Sequence, residues 1–176
     1  MIEQIIDTFE LKEKFSIIFR STNPFLDAGQ VAFPIKAVIY PTYGYYLTKY
    51  QFDALKYANE SIGSTEFYIS QVEYKPSDPF IRGEHWKCIN PSFEEYYDIS
   101  IGMENAIYST NGSWGLLISH EDHALLVSNI EFWEVFKNQY PNWAKDYLSF
   151  LNYWRDLEIG EKWLENFCSK LTVKPC

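Results

Sequence analysis

Two histidines and two acids follow one another in the segment His120-Glu121-Asp122-His123. Imidazole nitrogens and carboxylate oxygens are ligands that divalent metals accept. Two histidines three residues apart in a turn differ, however, from the i, i+4 pair that a helix presents in an HExxH site. The segment is therefore interpreted as a solvated polar turn, and we expect neither a metal nor another cofactor.

A histidine and a thiol also lie close together in the sequence, at His85 and Cys88. A cysteine becomes nucleophilic when a base or a positive field stabilises its thiolate, and the base needs a third group to orient it. No such group accompanies this pair, and the chain has no GxSxG, GxGxxG or P-loop motif. The motifs predict no catalytic residue, so we favour a non-enzymatic protein.

Adjacent carboxylates occur at Glu94-Glu95 and at Glu121-Asp122, and glycoside hydrolysis does require two acids at a fixed separation. The chain has 24 Asp and Glu among its 176 residues, so neighbouring acids arise without a functional cause. We interpret these pairs as charged, solvated faces.

The balance of charge is acidic, with 24 acids against 15 Lys and Arg, and the chain also contains 14 Tyr, 13 Phe and 6 Trp. An acidic surface repels phosphate backbones and anionic membranes, whereas it attracts basic proteins. Tyr and Trp are the side chains that dominate protein interfaces. The composition therefore predicts a basic protein as the partner and argues against nucleic acid and membrane.

Aromatic residues in irregular segments are the candidates for that interface. Four tryptophans recur instead at helical spacing and are expected in the core: Trp133, Trp143, Trp154 and Trp163. The segment 94–98 interleaves acids with tyrosines, which suits a partner-binding strip, although a solvated helix with inward-facing tyrosines fits it equally well. Tyr43, Tyr45 and Tyr46 also lie in an irregular stretch. The predicted partner-binding residues are Glu84, Trp86, Glu94, Glu95, Tyr96, Tyr97, Asp98, Glu121 and Asp122.

The elements that must position these residues are predicted to form one α+β domain over 1–176, because a chain of this length can bury a single core. Ile2, Ile5, Ile6 and Phe9 share a helical face near the N-terminus. The first residues lack the pattern of a secretory signal, and an odd number of cysteines argues against a disulfide framework, so a cytoplasmic location is expected.

Spacing and turn residues indicate the central elements. Thr48 and Gln51 have the spacing of a capping box and predict a helix over 49–62. Alternation predicts a strand over 66–74, and the prolines and glycine of 75–91 predict a long loop that carries Glu84, His85 and Trp86 as contact residues. Segment 31–46, with its interrupting prolines, is typical of irregular or edge strands.

The C-terminal half is predicted more sharply. Asn111-Gly112 between two apolar arms predicts a β-hairpin with a type I′ turn. A second turn at His120 leads into a third strand, so 106–128 should form an antiparallel meander. Helical spacing then predicts C-terminal helices to the end of the chain. We expect a central antiparallel sheet packed by an N-terminal helix, the 49–62 helix and these C-terminal helices.

The segment Glu104-Asn105-Ala106-Ile107-Tyr108-Ser109, with Gly112, Trp114-Gly115, Ser119, Glu121 and His123-Ala124, resembles small cytoplasmic bacterial proteins. Several such families are immunity proteins encoded beside polymorphic or contact-dependent toxins. The resemblance covers the segment 104–128 and implies an inhibitor of a basic toxin domain, such as a nuclease. Two alternatives stay open: a small enzyme or ligand-binding domain acting on a neutral or cationic molecule such as a carbohydrate, and a scaffold domain that assembles with itself.

Overall fold

A computed structural model describes residues 1–25, 29–30, 32–72, 80, 83–157 and 161–175. The strands are β1 Ile2–Gln4, β2 Ile35–Ile39, β3 Glu66–Gln71, β4 His85–Ile89, β5 Asn105–Ser109, β6 Trp114–Ile118 and β7 Ala124–Ser128. The helices are α1 Phe9–Ile18, α2 Lys49–Ser61, α3 Phe93–Tyr97, α4 Ile130–Gln139, α5 Trp143–Asp156 and α6 Glu161–Lys170.

All seven strands belong to one antiparallel sheet, in the order β1-β4-β3-β5-β6-β7-β2. The predicted meander is formed by β5, β6 and β7, and segment 31–46 contributes β2 at one edge of the sheet. The α+β class and the central antiparallel sheet are confirmed. No helix within the described ranges is both long and apolar enough to cross a membrane.

Helices cover both faces of the sheet. On one face, Phe52 of α2 contacts Phe67 of β3, and Trp114 of β6 stacks on Phe132 of α4. On the other face, Phe15 of α1 contacts Tyr108 of β5 edge-on. Alternate side chains of each strand therefore enter one of two apolar layers, as the period of two in a strand requires.

The C-terminal helices pack at the β2 edge, where α5 contacts both β2 and α6. The Trp143 indole donates to Val38 O at 2.8 Å. Beyond α6, the Thr172 N–H donates to Lys36 O at 3.0 Å, and Thr172 Oγ1 accepts from the Lys36 N–H at 2.8 Å. These bonds cover polar groups of an edge strand that would otherwise be free to pair with another chain.

The 49–62 prediction is confirmed by α2, whose capping box at Thr48 and Gln51 is fully formed. The strand predicted over 66–74 is confirmed as β3, whose described part ends at Gln71, while residues 73–79 lie outside the described ranges. The helices predicted after residue 128 are confirmed as α4, α5 and α6.

Three expectations are wrong. Residues Ile2–Gln4 form a strand rather than the start of a helix, because they pair with β4. The segment predicted as a long loop contains β4, which pairs with β3 on its other side. The β5–β6 hairpin exists, but positive φ occurs at Gly112 and not at Asn111, so the four-residue connection 110–113 is not a type I′ turn.

Candidate functional site

Helix α3 carries five of the predicted partner-binding residues or their neighbours. Ser92 caps it, since its Oγ accepts from the Glu95 N–H at 3.1 Å and the Glu95 carboxylate accepts from the Ser92 N–H at 2.8 Å. This capping box fixes the rotation of a helix too short to be stable alone. Within it Tyr96 points inward and Tyr97 points outward.

Tyr96 is a core residue. Its ring has no exposed surface and stacks on Phe52 with the centroids 4.6 Å apart. Its hydroxyl accepts from the Leu47 N–H at 2.8 Å, and burial raises its pKa well above the ordinary value. A ring enclosed in this way cannot contact a partner, so Tyr96 is removed from the predicted contact set.

Glu95 is exposed but already bound within the chain. Besides its place in the capping box, it forms an ion pair with the N-terminal ammonium of Met1 at 3.2 Å. The Ser92 N–H and this ammonium lower the pKa of the Glu95 carboxyl. The outward side chains of this segment that keep their charge or ring available are therefore Glu94, Tyr97 and Asp98.

The loop between β2 and α2 lies against the exposed side of α3. The ring of Tyr46 is 5.1 Å from that of Tyr97, and the ring of Tyr43 is 6.4 Å from it. The Tyr46 hydroxyl donates to Ile99 O at 2.7 Å, which ties the loop to the segment after α3. Tyr43 and Tyr97 stay 67% and 44% exposed, so together they present two rings to solvent.

The same loop is bound to the turn between β6 and β7. The Thr42 N–H donates to Asp122 O at 2.8 Å, and the Gly44 N–H donates to Asp122 Oδ1 at 2.9 Å. Gly44 and Asp122 both have positive φ, which brings their backbones close enough for these bonds. Asp122, predicted from a distant segment, is thereby placed beside the rings of Tyr43 and Tyr97.

Further acids continue the surface from that turn. His120 lies between two carboxylates, because Nδ1 is paired with Glu104 and Nε2 is 3.3 Å from Glu121. The ring of Tyr45 is 6.3 Å from the ring of His120. Burial, with a smaller contribution from Glu104, raises the pKa of Tyr45.

These residues form one continuous surface that we name the acidic-aromatic face. Among the described residues, no lysine or arginine lies within 4.0 Å of any of its carboxylates, which leaves its charge uncompensated. Sequence reasoning missed Glu104, whose position just before β5 at the same end of the sheet was the available signal. The face comprises Tyr43, Tyr45, Glu94, Tyr97, Asp98, Glu104, His120, Glu121 and Asp122.

Two predicted residues lie outside the face. Trp86 is in β4, only 8% exposed, with its ring in the sheet-helix layer rather than in a loop, so it is not a contact residue. Glu84 is exposed and accepts from Gln4 Nε2 at 3.3 Å. Its backbone shares the sheet end with Glu104, because Glu84 O accepts from Gln71 N–H in the neighbouring strand, but no contact joins its side chain to the face.

The histidine and cysteine candidates are separated by the fold. His123 is fully buried against Pro24 O, away from exposed His120, and burial lowers its pKa. His85 and Cys88 lie on opposite faces of β4, and burial raises the pKa of Cys88 to about 12, which disfavours the thiolate. Within the described ranges no group of three or more potential ligands could hold a metal.

Comparison with models of protein families, with curated proteins and with solved structures finds no match to this chain.

Proposed function

We propose that this chain is a non-enzymatic immunity protein that neutralises a basic toxin domain by covering it with the acidic-aromatic face. The observation that carries the proposal is the loop containing Tyr43 and Gly44, which joins the acids and ring of 94–98 to Asp122. Segments far apart in the sequence contribute one uninterrupted surface of a single chemical character. A bacterial source and a nuclease activity of the toxin follow from the resemblance of segment 104–128, and both belong to the proposal.

The charge of the face supplies the first part of the recognition. Glu94, Asp98 and Asp122 are exposed and have no cationic partner among the described residues. Such a patch raises the rate at which a basic protein is encountered and selects against acidic ones. It also repels nucleic acid, so the toxin domain and not its substrate is the expected ligand.

The rings supply the second part. Tyr43 and Tyr97 are held by neighbouring rings and need little reordering on binding, and tyrosines in such positions are frequent energetic centres of interfaces. A lysine or arginine of the partner placed over either ring would gain cation-π attraction in addition to pairing with Asp98 or Glu94.

The cavities favour this proposal over a glycoside hydrolase. Three described cavities of about 370 to 410 Å³ are each lined by a single carboxylate: Glu165, Glu84 or Glu131. Glycoside hydrolysis needs two acids across the scissile bond, which none of the three offers from the residues that line it.

The test is neutralisation of the toxin domain encoded beside this chain in its source genome. Co-expression should restore growth, and the purified chain should inhibit the toxin domain in a stoichiometric complex. Substituting Tyr97→Ala or Asp122→Asn should weaken the affinity about tenfold or more, measured by surface plasmon resonance.

Tyr57→Ala is the matched control, since Tyr57 is 54% exposed on α2 and has no ring contact with the face. Its affinity should stay at the wild-type value. Absence of neutralisation by the wild-type chain would overturn the function, whereas neutralisation that neither face variant weakens would overturn only the chosen surface.

A further inference from the structure

A second site lies on the opposite part of the molecule, between α5 and α6. It is a cavity of about 380 Å³, within the size range of small-molecule sites. Tyr147 and Leu151 of α5 and Leu164 of α6 form an apolar wall, and Tyr147 and Leu164 are themselves buried. An apolar wall beside open solvent is stabilised when an apolar body fills it.

Two cations lie at the same cavity, Arg155 near the end of α5 and Lys174 after α6. Neither forms an ion pair with a carboxylate of the described residues. In a chain with 24 acids and 15 Lys and Arg, two cations that share one cavity without such pairs are unusual. Glu165 also lines the cavity, so the three charges together leave one positive charge.

The two cations act inside the cavity and not only at its surface. Burial raises the pKa of the Cys168 thiol on the cavity wall, while Tyr147, Lys174 and Arg155 act in the opposite direction. A thiolate at Cys168 and a carboxylate bound in the cavity would therefore feel the same positive field.

We propose that this cavity binds a small amphiphile with a single carboxylate on an apolar body. The body lies against Leu151 and Leu164, and the carboxylate is paired with Arg155 and Lys174. A guanidinium suits this role, because its fork of N–H donors matches the two oxygens of a carboxylate. The site is independent of the acidic-aromatic face, so the proposal does not rest on the immunity function.

Alkylation of Cys168 by iodoacetamide, read by peptide mass spectrometry, tests the proposal directly. Octanoate is the probe, with octanol as the neutral molecule of equal chain length and octylamine as the cationic one. Octanoate should slow alkylation of Cys168, and octanol should need about a tenfold higher concentration for the same effect. Cys88 is fully buried and should stay unmodified throughout, which shows that the chain is folded.

The double variant Arg155→Gln/Lys174→Gln should lose about tenfold in octanoate affinity, with protection expressed relative to the same variant without ligand. Lys145→Gln is the matched control, because Lys145 is an exposed cation of α5 that does not line the cavity. Equal protection by octanol and octanoate, stronger protection by octylamine, or no protection at millimolar concentrations would each overturn the proposal.

Discussion

Tyr96 and Tyr97 are adjacent, yet they have opposite roles. The helix turns by about 100° per residue, so Tyr96 enters the core while Tyr97 lies 44% exposed. Tyr96→Ala should lower the free energy of unfolding by about 3–5 kcal/mol, because it removes a stacked ring and leaves the Leu47 N–H without its acceptor.

Urea denaturation followed by fluorescence measures both tyrosines. Tyr97→Ala should change the free energy of unfolding by about 1 kcal/mol or less. A variant at Tyr97 as unstable as the one at Tyr96 would contradict the assignment of Tyr97 to the surface.

His123 makes folding stability depend on pH. Burial lowers its pKa from 6.5, while the carbonyl oxygens of Glu121 and Pro24, the charge of Glu121 and the neighbouring His120 contribute in smaller measure. Below that value the unfolded chain binds a proton at His123 that the folded chain does not, so stability falls as pH decreases.

The free energy of unfolding should therefore fall more steeply between about pH 6.5 and pH 5 in the wild type than in His123→Gln. Chemical denaturation across this range measures the two slopes. His120→Gln is the control, because His120 is half exposed and should leave the His123 component in place. Parallel slopes in wild type and His123→Gln would refute this account.

At the scale of elements, the end of α1 packs directly on β6. A Cβ at Gly115 would lie 2.7 Å from the ring of Phe19 and 2.9 Å from Ile18, and both of these residues are buried. Gly115→Ala should therefore lower the free energy of unfolding by about 1–3 kcal/mol through overpacking.

Gly102→Ala is the matched comparison, since a Cβ there meets no atom within 4 Å. It should be neutral or slightly stabilising, because alanine reduces the freedom of the unfolded chain. Thermal or urea unfolding of the pair measures the difference, and equal stability of the two variants would show that α1 does not press on β6.

Element boundaries also show where sequence reasoning succeeds. Thr48 and Gln51 fixed the start of α2 because a capping box involves only neighbouring residues. Strand β4 escaped notice between prolines and glycine, although Trp86 and Cys88 alternate with His85 and Lys87 as a two-sided strand requires. Its pairing with β1 and β3 depends on residues distant in sequence.

For the whole molecule, the net charge of −9 predicts how association responds to salt. If the acidic-aromatic face steers a basic toxin domain, the association rate constant should fall about tenfold or more from low to high salt. The dissociation rate constant should change much less, because screening acts mainly on the approach of the two proteins.

Stopped-flow measurements on Glu94→Gln/Asp98→Asn should show a shallower dependence on salt than the wild type. Glu134→Gln is the control, because Glu134 is an acid of α4, already 3.6 Å from Lys137. Its salt dependence should match that of the wild type, and an equally shallow dependence in this control would indicate total charge rather than the face.

The sequence by itself determined the meander, the order of the helices and the acidic, aromatic character of the surface. These follow from turn residues, hydrophobic period and composition, which are local or additive properties. Only the tertiary structure decided that Tyr96 is buried, that Trp86 belongs to a strand, and that Asp122 joins Tyr97 on one face. Burial and adjacency depend on which distant segments pack together, and the Gly44–Asp122 contact spans 78 residues of chain.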